Sequence, residues 1–376
     1  MKNGENGAAR SRRDALRLLS AAALGTTIRA SATTSGQGAP ASQEAVFEFG
    51  DLPLESGAVL PNARLGYKTH GRLNAAKTNA ILYPTPFPAQ HGDIEWLIGP
   101  GKALDPDKYF VVVLDQLGNG LSSSPSNAAA PLDRMRFPPI SIRDNVAAQH
   151  RLVTSGFGIE RIALVVGWSM GAQQTFQWAV SHAGMVERIV TFCGTAKTTP
   201  HNAVFLQGVR AALTADAAWR DGSYDEPPMK GLKAFARVYA GWAFSQPFYK
   251  QELYRQLGFT STEEFIVRFW EPRFVRRDAN NMLSMLRTWE MHDVGATPGF
   301  SGSLERALGA ITAKATVMAG QTDLYFTAAD IEANAASIRG ARFRVIPSLW
   351  GHTAGAGMNA ADTQFVDSAI REALQS

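Results

Sequence analysis

Between residues 45 and 194 the chain alternates two kinds of apolar pattern. Positions 45–49 and 63–69 alternate apolar and polar residues, the period of a strand with one solvated face. Positions 80–83 and 109–114 are unbroken apolar runs, as in strands covered on both faces. Over 141–157, Ile142, Val146, Ala147 and Leu152 recur at helical spacing behind Ser141, a residue suited to capping. An apolar run at 162–168, a helical stretch after Ser169 and a strand pattern at 188–192 follow. Such alternation predicts an α/β fold, a mostly parallel sheet with helices on both faces.

From 195 to 305 strand signals fade. Aromatic residues and helix formers take over, with Tyr239, Trp242, Phe244, Phe248 and Tyr249 close together, then Phe265, Phe269, Trp270 and Phe274. This reads as a helical lid inserted over the sheet, its aromatics mostly core and in part, Trp242 and Phe244 among them, lining an apolar acyl pocket. Strand, helix, strand and helix patterns resume at 315–319, 328–338, 341–346 and 365–374. The expected organisation is a leader and linker over 1–43, a first core part over 44–194, the lid over 195–305 and a second core part over 306–376.

The chemistry concentrates at the end of the run at 162–168. There Gly167-Trp168-Ser169-Met170-Gly171 joins a strand to a helix, the context of a nucleophile elbow. The glycines admit a turn where a Cβ would clash, and the helix start offers free N–H groups to a developing anion. A serine hydroxyl needs a general base, and the base needs an orienting carboxylate. In α/β hydrolases these follow in the order Ser, Asp or Glu, His, just past strand ends. Asp323, in Gly320-Gln321-Thr322-Asp323, fits the acid, and Asp330 competes from inside a helical pattern. His352, directly after the last strand, fits the base better than His70, His91, His150, His182, His201 or His292. The oxyanion hole needs two N–H donors. One is expected from Met170. The loop Pro84-Thr85-Pro86-Phe87-Pro88 leaves only Thr85 and Phe87 to donate the other, and Phe87 is preferred.

Charge changes the picture little. The net charge is +4, but residues 1–32 carry six basic and two acidic residues, so the rest of the chain is neutral and leaves no basic stripe for nucleic acid. The leader itself reads as an address. Ser11-Arg12-Arg13-Asp14-Ala15-Leu16-Arg17 resembles a twin-arginine export motif, with a short apolar stretch and Ala30-Ser31-Ala32 behind it. That stretch is below the about 18 residues of a membrane span, so the expected destination is the periplasm or the medium, or the cytoplasm if the leader is silent. The single cysteine, Cys193, ends an apolar run and reads as a buried small hydrophobe. The glycine-rich loop at 115–122 lacks nucleotide-binding spacing and reads as a structural turn, and no metal-binding pattern is present. Neither metal nor cofactor is expected.

At these residues the chain resembles the homoserine O-acetyltransferase branch of the α/β-hydrolase superfamily. The resemblance spans about residues 45–375 and rests on Ile98-Gly99-Pro100-Gly101-Lys102 running on to Phe110, on Phe137-Pro138-Pro139-Ile140 running on to Gln149, on the Ser169 elbow, and on Arg277-Asp278-Ala279-Asn280-Asn281. It implies Ser169, Asp323 and His352 as a triad and pairing through the lid into a homodimer. Two departures bear on function. The acetyltransferases carry an Asp directly after the catalytic His, for the homoserine amine, where this chain has Thr353. They carry an Arg in a lid Tyr-Arg-Ser motif, for the carboxylate, where it has Trp242-Ala243-Phe244-Ser245. A zwitterion would be desolvated here without partners, which is costly. The loop at 83–87 also looks more like a divergent subgroup that includes simple ester hydrolases. The expectation is therefore an exported serine hydrolase of small carboxylic esters. An acyltransferase using acyl-CoA is the alternative, and a non-catalytic binding protein is the third reading.

Overall fold

The computed structural model describes residues 42–376; the leader and its twin-arginine-like motif lie outside the described residues. Eight strands form one sheet: β1 (Gln43–Pro53), β2 (Val59–His70), β3 (Ala80–Pro84), β4 (Phe110–Leu114), β5 (Leu164–Trp168), β6 (Arg188–Phe192), β7 (Lys314–Gly320) and β8 (Arg342–Ile346). Their order is β1-β2-β4-β3-β5-β6-β7-β8. The two strands with alternating patterns are the antiparallel ones, and from β4 to β8 every pairing is parallel. β1 begins at Gln43, inside the stretch assigned to the linker.

Each central strand feeds two apolar layers, because successive side chains point to opposite faces. Leu82, Val112, Val165 and Val317 enter the larger core, shared with the helices of the 195–305 segment. Ile81, Val111, Val166 and Met318 enter the smaller one, covered by the C-terminal helix. Removing one such side chain from water contributes about 1.5–3 kcal/mol.

The helices are α1 (Ile142–Arg151), α2 (Met170–Ser181), α3 (Pro200–Thr214), α4 (Met229–Ala243), α5 (Gln246–Lys250), α6 (Thr262–Phe265), α7 (Glu271–Val275), α8 (Ala279–Glu290), α9 (Leu304–Gly309), α10 (Ala328–Ala336) and α11 (Ala360–Gln375). α1 starts as its pattern predicts. Ser141 Oγ accepts from the Asp144 N–H at 3.0 Å, and Asp144 accepts from the Ser141 N–H at 2.8 Å. It ends earlier than expected, because Leu152–Gly156 winds as a π turn. Leu152 and Val153 remain buried there, so the apolar pattern cannot reveal the change. α3 to α9 fill the interval between β6 and β7, without a strand among them.

The topology locates the site. From β3 the chain moves to β4 on one side, then crosses to β5 on the other. The carboxyl ends of β3 and β5 thus flank a point where the winding reverses, the position where open α/β sheets bind ligands. The loop at 84–88 leaves one of these ends and Ser169 leaves the other.

Candidate active site

β5 runs into α2 without a linking loop, and Ser169 absorbs the turn. Its backbone sits at φ 57°, ψ −126°, a region that costs a non-glycine residue about 1–3 kcal/mol. Flanking glycines make the turn feasible. A Cβ on Gly167 would stand 2.2 Å from the Gly171 carbonyl oxygen, and one on Gly171 would stand 2.5 Å from the Pro84 carbonyl oxygen. The second value also shows how closely the loop after β3 packs on the start of α2.

The three side chains singled out by chain order meet here. His352 Nε2 lies 2.9 Å from Ser169 Oγ, and His352 Nδ1 lies 2.8 Å from Asp323 Oδ2. The other carboxylate oxygen, Oδ1, accepts the backbone N–H groups of Tyr325 at 2.8 Å and Phe326 at 3.1 Å. With only acceptors on Asp323, Nδ1 carries the proton, which leaves Nε2 to accept from the serine hydroxyl. Asp330, the competing acid, lies in the first turn of α10, where it accepts from the hydroxyl of the capping residue Thr327 at 2.7 Å. Ser169, His352 and Asp323 are 2%, 3% and 5% exposed, so their interactions are shielded from bulk water.

The N–H groups of Met170 and Phe87 donate to no acceptor among the described residues. The Thr85 N–H, by contrast, is spent on the Leu114 carbonyl at 2.9 Å. Of the two donors the prolines leave in that loop, the Phe87 N–H is therefore the one without an acceptor among the described residues.

Aromatic rings close the site. Trp168 stacks on His352 at 5.0 Å, and its indole N–H donates to the His352 carbonyl at 3.2 Å. Tyr325 and Phe326 pack on the same imidazole at 4.7 and 5.6 Å. Phe87 packs against Phe235, Tyr239 and Trp289 at 6.0–6.1 Å. The Tyr325 hydroxyl donates to the Tyr239 carbonyl at 2.9 Å, tying α4 to the loop that carries Asp323. Burial pushes both phenols well above their ordinary value of 10.

The residues assigned to substrate contact are placed differently. Trp242 packs on His201 and Phe205, and Phe205 in turn on Tyr325 at 4.4 Å, one ring removed from His352. Phe244 stacks on Phe248 at 4.0 Å and meets Phe265, Trp270 and Trp350, which makes it part of the helical layer's own core. The Thr353 hydroxyl donates to the Trp350 carbonyl at 2.7 Å. Sequence reasoning did not single out Trp168, Tyr325, Phe326 or Trp289. Tyr325 and Phe326 carried a signal: they stand two and three residues after Asp323, where an aspartate captures N–H groups of its own turn.

Other residues prove structural. Asp115, fully buried, accepts the His91 N–H at 2.9 Å and the Asn119 amide at 2.8 Å, holding the glycine-rich loop. Asp278 caps α8, and Asn281 is bonded to the backbone and hydroxyl of Ser126. Burial works against the charge of Asp93, but Arg277 and Arg276 hold its carboxyl below the usual range. Cys193 is fully buried, and burial raises its thiol pKa. His150 and His182 stack at 4.1 Å, with His182 pushed down to about 4 by burial and by His150.

His292, 4% exposed beside a cleft of about 240 Å³, is pushed down to about 3 by burial. Its folded value lies below its ordinary 6.5, so on acidification the unfolded chain takes up a proton that the folded one refuses. Stability is therefore lost as pH falls from 6.5 toward 3, by about 2 kcal/mol at pH 5 for a full effect. Urea melts at pH 7 and pH 5 should show this drop, and His292→Gln should reduce it.

The chain matches the family model described as alpha/beta hydrolase fold over residues 88–355. It is 39% identical over 334 residues to an ethyl acetate hydrolase of Pseudomonas veronii, covering 88% of this chain and 95% of that one. A solved acetylester hydrolase from Corynebacterium glutamicum superposes with a TM-score of 0.86 at 37% identity, covering 89% of this chain and 96% of that one. A homoserine O-acetyltransferase of Chlorobaculum parvum is 31% identical over 321 residues, covering 81% of this chain and 88% of that one. Sequence, sheet order and elbow agree: the chain belongs to the alpha/beta hydrolase fold family.

Proposed function

We propose that this protein hydrolyses small carboxylic esters through an acyl-enzyme on Ser169, with short alkyl acetates as the substrate class suggested by its esterase relatives. The observation that carries the reading is the continuous hydrogen-bonded chain from Ser169 through His352 to Asp323 in a buried, aromatic-walled site. Ser169 Oγ attacks the ester carbonyl while His352 Nε2 takes its proton. The Met170 and Phe87 N–H groups bind the oxyanion. His352 then protonates the departing alcohol, and Asp323 stabilises the imidazolium formed in between. In the second half His352 deprotonates a water molecule that attacks the acyl carbonyl; the acyl–Oγ bond breaks as His352 Nε2 returns the proton to Ser169 Oγ, which releases the acid and restores the serine.

The acetyltransferase relative gives a second reading in which an alcohol replaces water. Homoserine is a poor fit as that alcohol. Thr353 stands where its amine would need an acid, and its hydroxyl is already spent on Trp350. A twin-arginine leader would also carry the protein away from acyl-CoA. Purified protein given ethyl acetate and aryl acetates, and separately acetyl-CoA with homoserine, decides between the two. Ester hydrolysis without homoserine acetylation is expected; rapid acetylation with negligible hydrolysis overturns the reading. Fractionation of expressing cells, with and without Arg12→Lys and Arg13→Lys, tests the proposed export.

A further inference from the structure

We propose that Gln174 is a positioning residue that sets the spacing of the two oxyanion donors; this rests on the reading of Ser169 as the nucleophile. Gln174 lies in α2, a little more than one turn after Ser169, and is fully buried. Its amide Nε2 donates to two carbonyls at once, Thr85 at 2.9 Å and Met170 at 3.2 Å. Those carbonyls belong to the two segments that present the free N–H groups of Phe87 and Met170. One side-chain amide thus bridges both halves of the oxyanion hole.

The direction of this amide is imposed from behind. The Trp178 indole N–H is a donor and nothing else. It donates to Gln149 Oε1 at 2.7 Å, so the Gln149 amide nitrogen must face the other way. Gln149 Nε2 donates to Gln174 Oε1 at 2.7 Å, which leaves Gln174 only its nitrogen to offer the loop. Trp178, Gln149 and Gln174 are all fully buried, where reversing an amide would set donor against donor. The loop needs such support. Pro84, Pro86 and Pro88 give it no N–H of their own to anchor it. Gln116 adds a second side-chain hold, beside the Thr85 N–H bond to the Leu114 carbonyl: its N–H donates to the Thr85 hydroxyl at 3.1 Å, and its amide to the Thr85 carbonyl at 3.2 Å.

Gln174→Met keeps the length of the side chain and removes the clamp. With an acetate ester its kcat should fall about 10- to 100-fold, with KM within about threefold, since donors displaced by a fraction of an ångström lose transition-state contacts and leave ground-state contacts nearly unchanged. Inhibition by a trifluoromethyl ketone, whose bound form carries the oxyanion, should weaken by the same factor. Gln174→Glu adds a pH readout. A neutral carboxyl can donate to the Thr85 carbonyl and a carboxylate cannot, so the ratio of variant to wild-type kcat should fall as pH rises. The ratio for Gln174→Met should stay flat. Val366→Ala, in the opposite core, controls for general loss of stability. If Gln174→Met does not fold, Trp178→Phe, which releases Gln149 to turn, should give a smaller change of the same kind.

Unchanged kcat and unchanged ketone affinity in a folded Gln174→Met or Trp178→Phe variant overturn the proposal. So does a loss of kcat matched by Val366→Ala. Ser169→Ala keeps the two readings apart: if it is inactive while the Gln174 variants keep wild-type kcat and ketone affinity, only the positioning role fails, and if it stays active the hydrolase reading fails first.

Discussion

Replacing Ser169 with alanine is expected to lower kcat for an acetate ester by about 10⁶-fold, the scale on which serine hydrolases lose rate when the nucleophile is removed. Labelling by a fluorophosphonate should vanish with it. The fold should not suffer, because alanine carries the same Cβ into the same backbone conformation at φ 57°. Ser169→Gly separates strain from chemistry. It should be equally inactive but more stable than Ser169→Ala by about 1 kcal/mol or more, since glycine occupies that region without the penalty. Steady-state kinetics together with urea melts of both variants check the pair. Hydrolysis retained in Ser169→Ala would show that the ester is cleaved elsewhere. Equal stability of the two variants would show that the elbow stores no strain.

Asp323→Asn should cost about 10⁴-fold in kcat with little change in KM, although the two side chains have the same shape. The reason lies in the Asp323 surroundings. The N–H groups of Tyr325 and Phe326 demand an acceptor at Oδ1. In the variant they hold the amide oxygen, which turns the amide nitrogen toward His352. A donor facing Nδ1 moves the imidazole proton to Nε2, and a protonated Nε2 cannot accept from Ser169. The change is one of tautomer, so the melting temperature should move far less than the rate. Loss of activity in step with unfolding, or kcat within tenfold of wild type, would count against Asp323 as the orienting acid.

Both expectations rest on residues that local pattern could find. The elbow is a contiguous motif, and its glycines, serine and flanking strand and helix are short-range features. Asp323 and His352 stand directly after strands, and strand ends in a parallel sheet all open on one side. Chain order therefore sufficed to pick them from several carboxylates and seven histidines. Proline chemistry narrowed the second donor to Thr85 or Phe87, and the structure separates the two by spending the Thr85 N–H on the Leu114 carbonyl of β4.

The walls of the site were hidden for the opposite cause. Trp242 and Phe244 lie in the aromatic helical segment, yet Trp242 is separated from His352 by the rings of Phe205 and Tyr325, and Phe244 sits inside the helical layer. Aromatic residues in an amphipathic helix read alike whether they face a substrate or one another. Only their tertiary partners separate them: Phe205 for Trp242, and Phe248, Phe265, Trp270 and Trp350 for Phe244. Trp289 and Tyr325 come from segments far apart in sequence and became neighbours through packing alone. The clamp on Thr85 is of the same kind. Gln149, Gln174 and Trp178 looked like ordinary helix residues, and no spacing marks a bond between α1 and α2.

Sequence by itself thus determined the sheet, the elbow and the order of its chemical partners, because strand and helix periods, turn glycines and strand-end positions are properties of short stretches of chain. Tertiary structure alone decided which rings enclose Ser169, which N–H groups stay free to meet an anion and what holds them apart, because these depend on side chains brought together from distant elements. The elbow is what singles out Ser169 as the proposed nucleophile, while the packing around the loop at 84–88 sets where the Phe87 N–H stands relative to that of Met170.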